Sequence, residues 1–258
     1  GFVSSPSDWH YRNKMEYTFS NKRWLYEDEQ IDDLEHTNAL GFHAPGRFDK
    51  VLAIDKCWLQ DDLGNQIRNF VYEYCISNKL TFYDLKEHTG LMRNLMLRNT
   101  KSGDWMVNVI FAKDEPENIA KLMAALQEKF APKALNYCIN NKLNDSVFDQ
   151  EFIAYSGDFE IQEELCGLKF NISPKSFFQT NPVQAEVLYN VAIDFAEIKS
   201  TDVIYDLYCG TGTITCVAAK SAKKAVGVEI VEEAIEAAIV NAKLNNLNNV
   251  SFLAGDMK

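Results

Sequence analysis

With 258 residues, 47% of them hydrophobic and 24% charged, the sequence is that of a folded chain large enough for a full core and two domains, which excludes a disordered segment. It holds no run of roughly eighteen apolar residues and opens on nothing resembling a signal peptide, so neither a membrane span nor secretion is expected and a cytoplasmic protein is. The net charge of −11 argues mildly against a nucleic-acid partner, yet charge acts locally. Glu27, Asp28, Glu29, Asp32, Asp33 and Glu35 crowd into one stretch that predicts a solvated loop, whereas 12–23 carries Arg12, Lys14, Lys22 and Arg23 against Glu16 alone. The cysteines at 57, 75, 138, 166, 209 and 216 are scattered without a C-x-x-C pair, as in a reducing compartment. His10, His36, His43 and His88 make no metal-ligand spacing.

Residues 1–172 are expected to form one α+β domain with an antiparallel sheet. Trp9-His-Tyr-Arg-Asn-Lys14 leads into 15–19, which alternates as a strand does. Gly41-Phe-His-Ala-Pro-Gly46 is a turn-rich link into a strand at 51–54, and Asp55-Lys-Cys-Trp58 follows. A helix begins near Gly64, with Ile67, Phe70, Val71, Tyr74 and Cys75 on its core face. Residues 91–98 and 105–111 predict a hairpin. Pro116 opens a helix to Phe130 that buries Ile119, Leu122, Met123 and Leu126. Strands follow at 135–139, 151–155 and 168–172.

Residues 173–258 change character. Asn181 can cap a helix with Pro182 at its first position and a buried stripe of Ala185, Leu188, Ala192 and Phe195. Val203, Ile204, Tyr205 and Leu207 predict a buried parallel strand. Gly210 and Gly212 then turn the backbone into a helix, and the next strand ends on Glu229. Strand, glycine loop, helix, strand and acid make the nucleotide-binding half of a Rossmann-like sheet, and the acid suits a ribose with free hydroxyls. Thr215 stands where a dinucleotide fingerprint has its third glycine, which disfavours an NAD-type oxidoreductase. A third strand at 250–253 places Asp256 at its carboxyl end, either facing an adenine amino group or exposed in a loop. The chain starts with Gly-Phe-Val and stops shortly after this strand, so a piece of a longer protein, cut at both ends, is expected.

Asp206-Leu-Tyr-Cys-Gly-Thr-Gly-Thr213 and Val226-Gly-Val-Glu229 resemble the first two motifs of S-adenosylmethionine-dependent methyltransferases. Together with Tyr11-Arg-Asn-Lys14, Gly90-Leu-Met-Arg93 and Phe177-Phe-Gln-Thr-Asn181, they resemble the RNA uracil-5 methyltransferase family over essentially the whole chain. The resemblance implies a central α+β RNA-binding domain at 1–172. It also implies the first half of a Rossmann-like S-adenosylmethionine-dependent methyltransferase domain at 173–258, truncated after its third strand. It assigns Gln179, Tyr208, Gly210, Glu229 and Asp256 to the cofactor, and Arg12, Lys14 and Arg93 to RNA. For Arg12 and Lys14 the alternative is a basic lead-in to an edge strand.

In that family a cysteine thiolate adds to carbon 6 of uracil, which makes carbon 5 nucleophilic enough to take a methyl group, and a base then removes the carbon-5 proton. The target uridine must leave its stack, which favours looped RNA. The resemblance places that cysteine and base beyond Lys258 and makes Cys209 a small loop residue, so the chain itself is expected to be inactive. Cys57 resembles the fourth ligand of a [4Fe–4S] cluster whose other three cysteines precede the Tyr-Arg-Asn-Lys word, or else a packed thiol. The expected RNA is 23S ribosomal RNA, with transfer RNA or an inactive RNA-binding protein as alternatives. No membrane association and no obligate protein partner are expected.

Overall fold

The computed structural model describes residues 1–27, 29 and 37–256. Asp28, Asp32, Asp33 and Glu35 of the acidic stretch, and His36, lie outside the described residues. The chain divides into two compact units, one of residues 7–99 and 104–159, the other of 1–6, 100–103 and 160–258. The hairpin at 161–172 therefore falls with the C-terminal unit, whose boundary at 159/160 lies thirteen residues ahead of the one expected at 172/173.

The first of these units is built on a seven-stranded sheet in the order β3-β2-β1-β4-β5-β6-β7. Its strands are β1 (Lys14–Ser20), β2 (Ala39–Ala44), β3 (Arg47–Ala53), β4 (Met92–Asn99), β5 (Trp105–Phe111), β6 (Ala134–Ile139) and β7 (Phe152–Gly157). The helices α1 (Asp62–Ser77) and α2 (Pro116–Phe130) supply Ile67, Val71 and Cys75, and Ile119, Leu122, Met123 and Leu126. These pack with Tyr17, Phe19, Leu95, Leu97, Val107 and Val109, the alternate residues of β1, β4 and β5, in one hydrophobic core. The sheet is mixed, not antiparallel as expected. After β5 the chain crosses through α2 and re-enters beside β5 in the same direction, so β5 and β6 are parallel. β2 was not foreseen, because the link at 41–46 is half strand: the chain reverses at Gly46, whose φ of 73° lies in the left-handed region, and β3 returns beside it.

The other unit begins with an antiparallel hairpin of β8 (Ile161–Leu165) and β9 (Leu168–Ile172). Its two turn residues, Cys166 and Gly167, have φ of 52° and 71°, the conformation that a tight two-residue hairpin requires. Helix α3 (Pro182–Ala196) follows, capped by Asn181 Oδ1, which accepts the Gln184 N–H at 3.0 Å. Then β10 (Val203–Leu207), α4 (Thr213–Ala219), β11 (Lys224–Glu229), α5 (Glu232–Leu244) and β12 (Val250–Ala254) form a parallel sheet in the order β10-β11-β12.

Two burial expectations fail in this unit. β10 is parallel, but Val203, Tyr205 and Leu207 are exposed, because it pairs only with β11 and no described layer covers that face. α3 buries Pro182, Ala185 and Tyr189, leaving Leu188, Ala192 and Phe195 outside. The two stripes share Ala185. Tyr189 decides between them, since its hydroxyl reaches Thr213 Oγ1 at 3.3 Å. No described helix is long and apolar enough to cross a membrane.

Candidate functional site

Between β10 and α4 the backbone reverses through Tyr208, Gly210 and Gly212, with φ of 66°, 53° and 77°. Gly212 must be glycine on steric grounds as well, since a Cβ there would lie 2.8 Å from the Phe252 ring and 2.9 Å from Ala238. Gly227, the neighbour of Asp206 on β11, is crowded in the same way by Phe252 at 2.6 Å and by Cys209 Sγ at 2.8 Å. Nothing stands near a Cβ at Gly210, so the loop's outer side is open for a ligand to approach the backbone.

Three side chains fix the loop from behind. Asp206 accepts the Thr215 hydroxyl at 2.6 Å, and burial raises the pKa of that carboxyl while the Thr215 bonds oppose the rise. Thr215 thereby fills the space of the missing third glycine with a bond to the strand. Asn241, buried on α5, donates Nδ2 to the Thr211 carbonyl at 3.2 Å and accepts the Asn171 N–H of β9 at 2.9 Å. Glu229 ends β11 with one carboxylate oxygen accepting the Gly210 N–H at 3.1 Å. Its other oxygen accepts the N–H groups of Ile230 and Val231 at 2.8 and 3.1 Å, at the start of α5.

Of the residues expected at the cofactor, Tyr208, Gly210, Glu229 and Asp256 all stand at the carboxyl ends of three adjacent parallel strands. The Tyr208 ring is 76% exposed, and Glu229 remains partly open beside the loop. The Gly255 N–H donates to the Glu229 carbonyl at 3.0 Å, which sets the exposed Asp256 next to that end of β11. Gln179 joins from another direction: its side chain hydrogen-bonds the Tyr189 hydroxyl that also meets Thr213, the first residue of α4. A half-open carboxylate, an exposed aromatic ring and a backbone free of Cβ atoms fit a ribose diol and an attached base. Asp206, Thr215 and Asn241 were missed from sequence. Asn241 had no local signal, because its two partners lie 30 and 70 residues away.

Burial pushes both Cys209 and Cys216 up to about 12, and the Asp206 carboxylate near each adds to the rise. Cys57 is buried, its backbone gripped by Asn65, whose Oδ1 accepts the Cys57 N–H at 2.7 Å and whose Nδ2 donates to its carbonyl at 3.0 Å. Among the described residues no group of three or more His, Cys, Asp or Glu side chains could hold a metal. A [4Fe–4S] cluster needs four ligands, so these residues do not by themselves fit one.

The basic residues separate into two kinds. Arg12 is half-buried and donates Nε to the Lys14 carbonyl at 3.0 Å, while Lys14 pairs with Glu16 at 2.9 Å. Burial lowers the Lys14 pKa, and the Arg98 charge lowers it further. Arg93 corrects the expectation of an RNA contact. Its side chain is 1% exposed and lies over the Tyr83 ring at 4.5 Å. Its guanidinium donates to the carbonyls of Asn140, Lys142 and Asn144 and to the Asp145 carboxylate at 2.5–2.9 Å. It is a clamp on the 140–145 loop, with no exposed face left for a phosphate.

Residues 10–255 match the tRNA (Uracil-5-)-methyltransferase family. An uncharacterized RNA methyltransferase of Bacteroides thetaiotaomicron is 46% identical over 254 residues, which cover 96% of this chain and 56% of that protein. Another, of Porphyromonas gingivalis, is 47% identical over 264 residues, covering 99% of this chain and 57% of that one. The chain thus spans a little over half the length of the curated relatives it matches. Its fold is similar to that of the Pyrococcus abyssi tRNA (uracil-54, C5)-methyltransferase, solved with S-adenosyl-L-homocysteine, at a TM-score of 0.76 and 24% identity over 98% of this chain and 57% of that one.

Proposed function

This chain belongs to the tRNA (uracil-5-)-methyltransferase family, and on that premise we propose that its protein methylates carbon 5 of a uridine in RNA, with S-adenosylmethionine bound at the glycine loop. The observation that carries the reading is the Glu229 carboxylate, hydrogen-bonded to Gly210 and standing at the carboxyl edge of the parallel sheet. In this reading β10, β11 and β12 open a Rossmann-like methyltransferase domain. Glu229 takes the ribose hydroxyls, Tyr208 covers the nucleoside, Asp256 accepts from the adenine amino group and Gln179 faces the substrate side. When bound, S-adenosylmethionine supplies an electrophilic methyl group on a sulfonium. The chain's own residues position it: Asp206 and Asn241 hold the loop, Gly212 lets it pack against Phe252 and Ala238, and Gly210 leaves its outer side bare.

The nucleophilic cysteine and the base of the family's chemistry are assigned to none of this chain's six cysteines. Arg12 and Lys14 remain proposed RNA contacts, in a central RNA-binding domain of a cytoplasmic protein. The ligand role of Cys57 likewise remains a proposal. It is supported by the pairing of the His10 and Arg12 N–H groups with the carbonyls of Trp58 and Leu59, both at 2.8 Å, which brings the Tyr-Arg-Asn-Lys word alongside Cys57. Iron analysis of the anaerobically purified complete protein, before and after Cys57→Ser, tests it.

Ribosomal RNA is the substrate this reading expects from the motif words. The family description favours transfer RNA as the second reading. Deleting the gene and digesting both RNA classes to nucleosides for mass spectrometry separates the two. Loss of 5-methyluridine from 23S RNA supports the first, loss from transfer RNA the second, and unchanged levels in both would leave an inactive RNA-binding protein.

A further inference from the structure

In the seven-stranded unit, well away in sequence from the glycine loop, three loops enclose an open cleft of about 1030 Å³. They are the β2–β3 turn with His43, Arg47 and Phe48, the 84–88 turn with Lys86 and His88, and the 140–145 loop with Leu143. Each loop is held by a buried charged group. Asp49, 4% exposed, binds Lys86 at 2.8 Å and Arg47 at 3.4 Å, and these cations depress its pKa to about 2. Asp84 accepts the backbone N–H groups of Lys86 and Glu87 at 2.9 and 3.0 Å. Arg93 fixes the third loop, and its stacking partner Tyr83 meets His88 Nδ1 at 3.2 Å, so two walls are tied through one ring.

The cleft is therefore preformed, and its lining is unusual for a chain of net charge −11. Phe48 is 68% exposed and Leu143 72% exposed. His43 and His88 are exposed beside them. Asp145, the one carboxylate among the described lining residues, is neutralised by Arg93 at 2.9 Å. Arg47 and Lys86 share the single carboxylate of Asp49, which leaves a positive charge over. An open aromatic ring with imidazoles and one unbalanced positive charge at its side is the chemistry that stacks bases and neutralises phosphates of an unpaired strand. The volume stands at the top of the roughly 300–1,000 Å³ of small-molecule sites, which suits a stretch of strand better than one compact ligand.

We propose that this cleft is a second RNA contact, in which Phe48 stacks on an unpaired base and Arg47 and Lys86 face its phosphates. The inference rests on the RNA reading above and adds to it a binding surface outside the cofactor site.

The test uses the full chain and a fluorescent oligouridylate of about twelve nucleotides, a length suited to single-strand sites. Phe48→Ala should weaken binding by about five- to a hundredfold, the usual loss for one stacked base, and Phe48→Trp should retain it. Lys86→Gln, which leaves Arg47 on Asp49, should lower the slope of log affinity against log salt by about one, whereas Phe48→Ala should leave that slope alone. Equal affinity of the parent chain and Phe48→Ala would overturn the inference, and so would the absence of measurable binding by the parent chain. Calorimetry with S-adenosylmethionine on the same preparations keeps the two readings apart. Failure to bind it would count against the methyltransferase reading, while a normal cofactor isotherm beside a Phe48-independent RNA affinity would overturn the cleft alone.

Discussion

Glu229 and Gly210, nineteen residues apart, are joined by a 3.1 Å hydrogen bond from the glycine's N–H to the carboxylate, so the acid at the end of β11 also shapes the loop after β10. An ionised acceptor of this kind contributes roughly 1.5–3 kcal/mol. Glu229→Ala should therefore weaken S-adenosylmethionine binding by about ten- to a hundredfold in titration calorimetry. Unchanged affinity would remove Glu229 from the cofactor site.

Arg93 and the pair Arg12 and Lys14 should respond in opposite ways. Arg93→Ala strips the partners from three loop carbonyls and from Asp145, and should cost about 2–4 kcal/mol of stability in urea unfolding. Neutralising Arg12 and Lys14 together should change stability little and flatten the salt dependence of RNA affinity by roughly one to two units. A flat urea result for Arg93→Ala would mean that the 140–145 loop holds without its clamp.

Cysteine labelling reads the protonation of the glycine loop. With folded pKa values near 12, Cys209 and Cys216 stay as thiols at pH 8, and both are buried. Iodoacetamide followed by peptide mapping should mark the half-exposed Cys166 first and reach Cys209 and Cys216 only on unfolding. Fast native labelling of Cys209 would restore it as a candidate nucleophile.

Acid should act through Asp49. Its pKa falls from the ordinary 3.8 to about 2 on folding, chiefly through its bond to Lys86. A depressed carboxylate adds stability above its unfolded value and loses it as pH drops through the folded one. Asp49→Asn should therefore be less stable than the parent at pH 7, with the difference closing between about pH 4 and 2. A gap that persists at pH 2 would show that the loss comes from packing rather than charge.

Much of this architecture is legible in the sequence because it depends on local pattern. Alternation marked β1, the hairpin pattern of 91–98 and 105–111 marked β4 and β5, Pro116 and Pro182 marked two helix starts, and the paired glycines with Glu229 marked the loop and its acid. What escaped depends on partners distant in sequence. Arg93 was assigned to RNA through the resemblance of its motif word, which says nothing of the three carbonyl partners, 47 to 51 residues away, that enclose it. The face of α3 turned on one hydroxyl, since Leu188 and Tyr189 are adjacent and only Tyr189 has Thr213 to meet. The direction of β6 was set by the crossover through α2, which strand-by-strand alternation does not encode.

The two bonds of Asn241 limit what that position can become. It must offer a donor to Thr211 on one side and an acceptor to Asn171 on the other, from a site 1% exposed. Aspartate lacks the donor, leucine lacks both, and glutamine has the groups but on a longer arm. A chimera that took α5 from an unrelated sheet protein, with its hydrophobic stripe intact, would thus fold its core and still lose the shape of a loop thirty residues upstream.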